Sequence, residues 1–189
     1  IMNTSLDLLM RQTDPVKRAK HVGKINKAID RIQSLLDEIL SISHLDKSSI
    51  QVDPTQCDPN LIVQEAVKNY TSLAAKKNIQ LKQLLSDSQL IVYGNNDQLS
   101  RAIQHIFTNA INFTPDNGII TLKTYRKDDN VYCEITDTGI GIKKRELSRI
   151  FDYFYKVDKA RQLDSGGAGL GLSIVQKIVK AHNGTINVI

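Results

Sequence analysis

Cysteine is scarce: Cys57 and Cys133 are the only two, far apart and without nearby ligand partners. That spacing argues against a disulfide framework and offers no zinc site, and a reducing cytosol suits it. No apolar run approaches the roughly 20 residues that a bilayer-spanning helix needs. The opening Ile1-Met2-Asn3-Thr4 has neither the basic nor the apolar region of a secretion signal. The expectation is a soluble, cytoplasmic piece, any membrane anchor lying in segments outside it. A dense basic block is missing too. The net charge of +5 comes from 25 basic and 20 acidic residues spread along the chain without interleaved aromatics, which speaks against nucleic acid as a partner. There is no internal repeat and no low-complexity tract. What remains is 189 residues with 41% hydrophobic content, enough for one good core and a helical appendage.

The first segment reads as helical. Val22, Ile25, Ile29, Ile32, Leu36 and Ile39 recur at 3-4-3-4-3 spacing and draw one narrow apolar stripe, while Lys24, Lys27, Asp30, Arg31 and Asp37 fall on other faces. Such a stripe is the seam of a coiled coil or bundle and needs a partner to cover it. Asp14-Pro15 is a cap followed by proline at the first helical position, so a helix is expected to begin there. Met2, Leu6 and Leu9 continue the apolar spacing upstream, giving a helical hairpin that reads as half of a dimeric four-helix bundle. Ser48 to Asn60, with Pro54 and Pro59, marks a boundary, so residues 1–50 form the hairpin and 51–189 a compact domain. Within that domain the patterns predict helices over 61–77, 97–113 and 170–182 and a short one near 143–149. Strands are expected at 79–82, 90–93, 119–126 and 131–137, with a last one starting at Gly184. Helices and an antiparallel sheet segregate, which is an α+β, two-layer sandwich.

Three clusters carry chemistry. Asn109-Ala110-Ile111-Asn112-Phe113-Thr114-Pro115 ends a helix, with His105 one turn earlier, so residues 105, 109 and 112 share a face. An Asn oxygen is a suitable hard ligand for magnesium; it serves equally well to tie a loop. Asp137-Thr138-Gly139-Ile140-Gly141-Ile142 follows a strand. A buried, ionised Asp accepts hydrogen bonds only and suits a ligand amino group such as that of adenine. An ordinary turn is the alternative, whereas an aspartic protease would want a second such carboxylate in an all-β setting. Gly166-Gly167-Ala168-Gly169-Leu170-Gly171-Leu172 opens a helix. Glycines allow the backbone close to phosphate, and the helix N-terminus offers free N–H groups, although the Lys-Ser/Thr pair of a P-loop is absent. Between the second and third clusters runs Phe151-Asp152-Tyr153-Phe154-Tyr155-Lys156-Val157-Asp158-Lys159-Ala160-Arg161, whose aromatics and cations suit a mobile lid, or simply an exposed charged loop.

In this order and spacing, over about residues 97 to 188, the clusters resemble the N, G1, F and G2 boxes of sensor histidine kinases, whose nucleotide domain has the Bergerat (GHKL) fold. The preceding helices resemble the adjoining dimerisation and phosphotransfer domain, and Ser41 to Asp46 stands where its second helix ends. The resemblance implies that Asn109 holds magnesium, that Asp137 binds the adenine amino group, and that Gly139, Gly141 and Ile142 shape the base pocket. Phe154 belongs to the lid, Lys156 meets phosphate, and Gly167, Gly169, Leu170 and Gly171 admit the triphosphate of ATP or ADP. His105 and Asn109 are the candidate catalytic residues, with Asn112 beside them. It further implies a homodimer, and transfer of the γ-phosphate to a histidine and then to an aspartate of a response regulator. The family's His-Glu/Asp-x-x-x-Pro acceptor motif would fall before Ile1, so this stretch alone is not expected to phosphorylate itself.

Three positions depart from the pattern. His105 replaces an Asn, Asn112 a Lys, and Tyr153 the Arg of the lid, and each change removes or alters a phosphate contact. A protonated His105 would restore part of that charge, because imidazole titrates near neutral pH and phosphates would raise its pKa. Two rival readings stay open. One is a non-catalytic nucleotide-binding, dimerising module; behind it stands an ATPase resembling gyrase or the heat-shock chaperones, with His105 activating water.

Overall fold

A computed structural model describes residues 14–46, 55–157 and 168–189, and the chain divides into two units, 1–44 and 45–189. The first unit contains α1, Pro15–Asp46. Its start is the predicted one: an Asp14 carboxylate oxygen accepts the backbone N–H of Val16 at 2.9 Å, and proline takes the first helical position. Of the apolar stripe, Val22, Ile29, Ile32 and Leu36 are exposed and Ile25 is half-buried. Met2, Leu6 and Leu9 of the expected preceding helix lie outside the described residues, as does Ser48 to Pro54 of the expected boundary.

The second unit runs β1 (Thr55–Cys57), α2 (Pro59–Ala75), β2 (Gln80–Leu84), β3 (Val92–Gly94), α3 (Asn96–Phe113), β4 (Ile119–Lys127), β5 (Asn130–Asp137), a 3-10 turn (Lys144–Glu146) and α4 (Gly171–Ala181). Helix α2 starts two residues earlier than predicted, because Asp58-Pro59 repeats the cap-then-proline signature and the Asp58 side chain accepts the Asn60 N–H at 2.9 Å. It ends where Asn78 turns left-handed at φ +51 and Ile79 N–H reaches back to the Ala74 carbonyl. Helix α3 begins under an Asn95 cap and stops at Thr114, which precedes Pro115 and takes an extended conformation.

The sheet is not purely antiparallel, as the patterns had suggested. β4 pairs antiparallel with β5 but parallel with β2, because β3 and α3 carry the chain back across before β4 begins; β1 and β3 make a separate antiparallel pair. Residues 184–189 form no strand, contrary to the prediction. Alternation alone gives a propensity, and a strand exists only where a neighbour completes its hydrogen bonds.

Along β4 the buried residues are Ile120, Leu122 and Thr124, so one face of the sheet is covered by helices and the other is open. Ile120 and Leu122 meet Val63, Ala66 and Val67 of α2 and Phe107, Ala110 and Ile111 of α3 in one core, where Tyr70 packs edge-on to Phe107 with centroids 6.0 Å apart. The polar Thr124 is buried without penalty: it donates to the Asn60 side-chain oxygen and accepts the Ser86 N–H at 3.1 Å. At about 100° per residue, the core positions 107, 110, 111 and 114 of α3 fall on one side, and 105, 109 and 112 on the opposite one. The helix thus braces the core with one face and presents the other to the site. Truncation at its centre, Phe107→Ala, is expected to cost about 3–5 kcal/mol of stability, measured by chemical denaturation.

Candidate nucleotide site

The site is assembled where backbone comes too close for a side chain. A β-carbon on Gly139 would stand 2.8 Å from the Phe113 carbonyl oxygen, and Ile140 N–H points to the same oxygen, so the Asp137 loop is seated on the C-terminus of α3. Eight residues up that helix, a β-carbon on Gly171 would stand 3.2 Å from the His105 Nδ1, which brings the first turn of α4 onto α3. On Gly169, at φ +80, a β-carbon would stand 2.8 Å from the Tyr155 carbonyl oxygen and 2.9 Å from the Phe154 carbonyl carbon. These contacts join the three clusters and the aromatic segment in one continuous chain around Asn109, which lies half-buried one turn from His105.

Individual placements differ in part from expectation. Asp137 is exposed, not buried; it closes β5 at the sheet's end, and one carboxylate oxygen accepts the Gly139 N–H at 2.8 Å. Thr138 fixes the loop from the other side, accepting the Ile119 N–H at 2.9 Å. Gly141 takes φ +66 in open space, and Ile142 is exposed beyond it. Leu170 is fully buried just before α4. Asn112 is exposed at the end of α3. Phe154 is 64% exposed and left-handed at φ +59, an uncommon conformation for an aromatic residue. Lys156 is half-buried, its Cγ against Gly169. Gly167, Lys159 and Arg161 lie outside the described residues.

His105 does not carry the charge expected of it. Burial, reinforced by the Arg101 guanidinium, lowers its pKa to about 4, and its Nε2 is buried with no hydrogen-bond partner. Among the described residues no three His, Cys, Asp or Glu side chains cluster as a metal site. A single amide oxygen at Asn109 fits magnesium nonetheless, since that ion keeps several waters and takes the rest of its shell from phosphates.

Two supports escaped the sequence reading. Lys77 donates its ammonium to the carbonyls of Ile111 (2.8 Å), Asn112 (3.2 Å) and Thr114, closing the C-terminus of α3 where the helix dipole favours a cation. His182, after α4, accepts the Asn95 N–H on Nε2 at 3.0 Å, and its Nδ1 lies 2.7 Å from the Ile178 carbonyl, which ties the end of α4 to the start of α3. Neither has a motif; each is a single polar residue at a helix end.

Comparison with known proteins places this geometry. The family described as histidine kinase-, DNA gyrase B-, and HSP90-like ATPase matches residues 94–189, more than half of the chain, and the protein belongs to it. The relatives it matches are sensor kinases. It is 30% identical over 181 residues to the sensor-like histidine kinase SenX3 of Mycobacterium tuberculosis, covering 96% of this chain and 44% of that protein. It is 31% identical over 158 residues to the sensor histidine kinase RppB of Synechocystis, covering 84% of this chain and 35% of that protein. The chain therefore spans less than half the length of these curated relatives. Among solved structures, full-length ShkA in complex with AMPPNP superposes with a TM-score of 0.75 over 92% of this chain and 36% of that one, at 23% identity. The Acinetobacter baumannii histidine kinase AdeS gives 0.73 over 95% of this chain and 82% of that one, at 17% identity. The α+β fold is that of the histidine kinase catalytic domains, and the domain is of the ATP-binding, sensor kinase type.

The buried imidazole gives a pH signature. With its pKa lowered to about 4 from an ordinary 6.5, His105 binds protons more readily in the unfolded chain, so stability is complete above pH 6.5 and falls as pH drops from there toward 4. His105→Asn should flatten that descent by up to about 3 kcal/mol, read from denaturation midpoints at pH 7 and pH 4.5.

Proposed function

We propose that this domain binds Mg-ATP and transfers its γ-phosphate to a histidine of the parent protein that lies outside this sequence, for relay to an aspartate of a response regulator. The observation that supports the reading is the run of close contacts from the Asp137 loop through α3 to Gly171 and Gly169, which links the segments that carry Asp137, Asn109 and the start of α4. In this reading the free oxygen of Asp137 accepts from the adenine amino group and Gly139, Gly141 and Ile142 line the base. The first N–H groups of α4, released by Gly169 and Gly171, face the phosphates with Lys156 beside them. Asn109 holds the metal, which when bound neutralises charge on the β- and γ-phosphates. Phosphoryl transfer through a loose transition state asks mainly for in-line positioning and charge neutralisation, and these residues supply both.

Residues 1–50 serve in this reading as part of a dimerisation and phosphotransfer domain, the exposed Val22, Ile29, Ile32 and Leu36 stripe being covered by a second copy. The rival module that binds nucleotide without transferring phosphate has one observation in its favour: a neutral His105 leaves the departures at Asn112 and Tyr153 uncompensated. A chain extended upstream and given labelled ATP separates the two, since transfer yields acid-labile phosphate on one new histidine and the rival yields none.

Asp137→Asn is the sharper test of the site. With the amide oxygen kept on the Gly139 N–H, the NH2 group takes the place of the second carboxylate oxygen and meets the adenine amino group donor to donor. Calorimetry should show at least a tenfold loss of ATP affinity, about 1.4 kcal/mol or more, in a folded sample.

A further inference from the structure

The segment between the Asp137 loop and α4 is held by contacts that the nucleotide reading does not use. The Tyr155 hydroxyl donates to the Glu146 carboxylate, which also receives the Arg145 Nε at 2.9 Å. The Arg149 guanidinium stacks 4.4 Å above the Tyr155 ring, and the Lys177 ammonium of α4 sits 5.3 Å from the Tyr153 ring. On the other side, the Tyr155 carbonyl and the Lys156 Cγ rest on Gly169, at 2.8 Å and 3.2 Å from where its β-carbon would be. Gly169 is thereby required twice, once for its left-handed φ of +80 and once for space. The left-handed Phe154 lies between these two anchorages and projects outward, so the backbone conformation of 153–156 is imposed by its neighbours on both sides.

We propose, on the strength of the ATP-binding reading, that Tyr155 is a positioning residue for the phosphates: clamped by Glu146, Arg149 and Gly169, it holds the neighbouring Lys156 side chain against the start of α4. The argument is one of entropy. A lysine loses rotamer freedom when fixed on a ligand, and a stem already lying against Gly169 has lost part of it before the ligand arrives. The cation and the glycine N–H groups then meet phosphate as one prearranged unit. This matters more here than where an Arg stands at 153 and a Lys at 112, because Tyr153 and Asn112 carry no charge.

A double-mutant cycle on the whole chain tests the coupling, with ATP affinity read by calorimetry and the thermal midpoint of each unliganded variant read alongside. Tyr155→Phe keeps the ring for Arg149 and removes only the hydroxyl. It should weaken ATP by about 3- to 10-fold with the midpoint unchanged, Glu146→Ala should match it, and Glu146→Gln, which keeps an acceptor oxygen, should bind like the parent. Lys156→Met should weaken ATP at least as much, and adding Tyr155→Phe to it should cost nothing further. The proposal is overturned if Tyr155→Phe binds like the parent, if its loss adds in full to that of Lys156→Met, if Lys156→Met is silent, or if Glu146→Gln behaves like Glu146→Ala. A parent protein that binds no ATP would instead bring down the nucleotide reading itself, and this inference with it.

Discussion

Close approach between α3 and α4 at His105 and Gly171 is the contact on which the site depends. Side-chain packing alone would keep the two helices further apart, and a β-carbon at 171 would already press on the imidazole at 3.2 Å. Because α3 also braces the sheet through Phe107, Ala110 and Ile111, its position is fixed from the core side. Gly171 thus lets the first turn of α4 lie close on α3, while the buried Leu170, Ile174, Val175 and Ile178 hold the helix against the domain. Gly139 repeats the device at the other end of α3, against the Phe113 carbonyl, and Gly169 repeats it against the lid segment. Three separate stretches of chain thus converge where a glycine admits a neighbour closely, the Phe113 carbonyl at Gly139, the Phe154–Tyr155 backbone at Gly169 and the His105 imidazole at Gly171.

Local signals made much of this legible. Alternation located β4 and β5, and the Asp14-Pro15 signature located the start of α1 to the residue. The same signature at Asp58-Pro59 was passed over because the surrounding prolines read as a boundary, and α2 came out late. Period and caps say nothing about which strand lies beside which, so the parallel β2–β4 pairing was invisible: it depends on where β3 and α3 carry the chain. Residues 184–189 fail as a strand for the complementary reason, since strand propensity is realised only by a partner.

Gly139, Gly169 and Gly171 could be singled out in the sequence because each stands where a β-carbon would crowd a neighbour. What sequence could not supply was environment. Asp137 was expected to be buried and is exposed, because β5 delivers it to the end of the sheet. Lys77 and His182 gave no signal, since any polar residue at a helix end looks the same until the carbonyl it meets is known. The Tyr155–Glu146 contact spans nine residues of irregular chain, a separation that no periodicity links.

His105 shows most clearly how environment decides chemistry. Exposed, an imidazole in place of asparagine would bring a cation to the phosphates; packed against Gly171 and beside Arg101, it is a neutral group with one buried nitrogen unpartnered. Protonating it means placing a charge on a largely desolvated ring near a guanidinium. The same close packing that positions α4 thereby removes His105 as a source of charge. In the proposed reading, the charge of a bound triphosphate would be met by the N-terminus of α4, by Lys156 and by a metal at Asn109, with the Arg101 guanidinium near enough to act on His105. A helix N-terminus carries only about half a unit charge, so a single lysine is a large share of what the protein itself can offer. In the proposed reading the geometry of one cation weighs more than in a site ringed with arginines, and the residues that fix its stem would serve binding alongside the groups that touch the ligand.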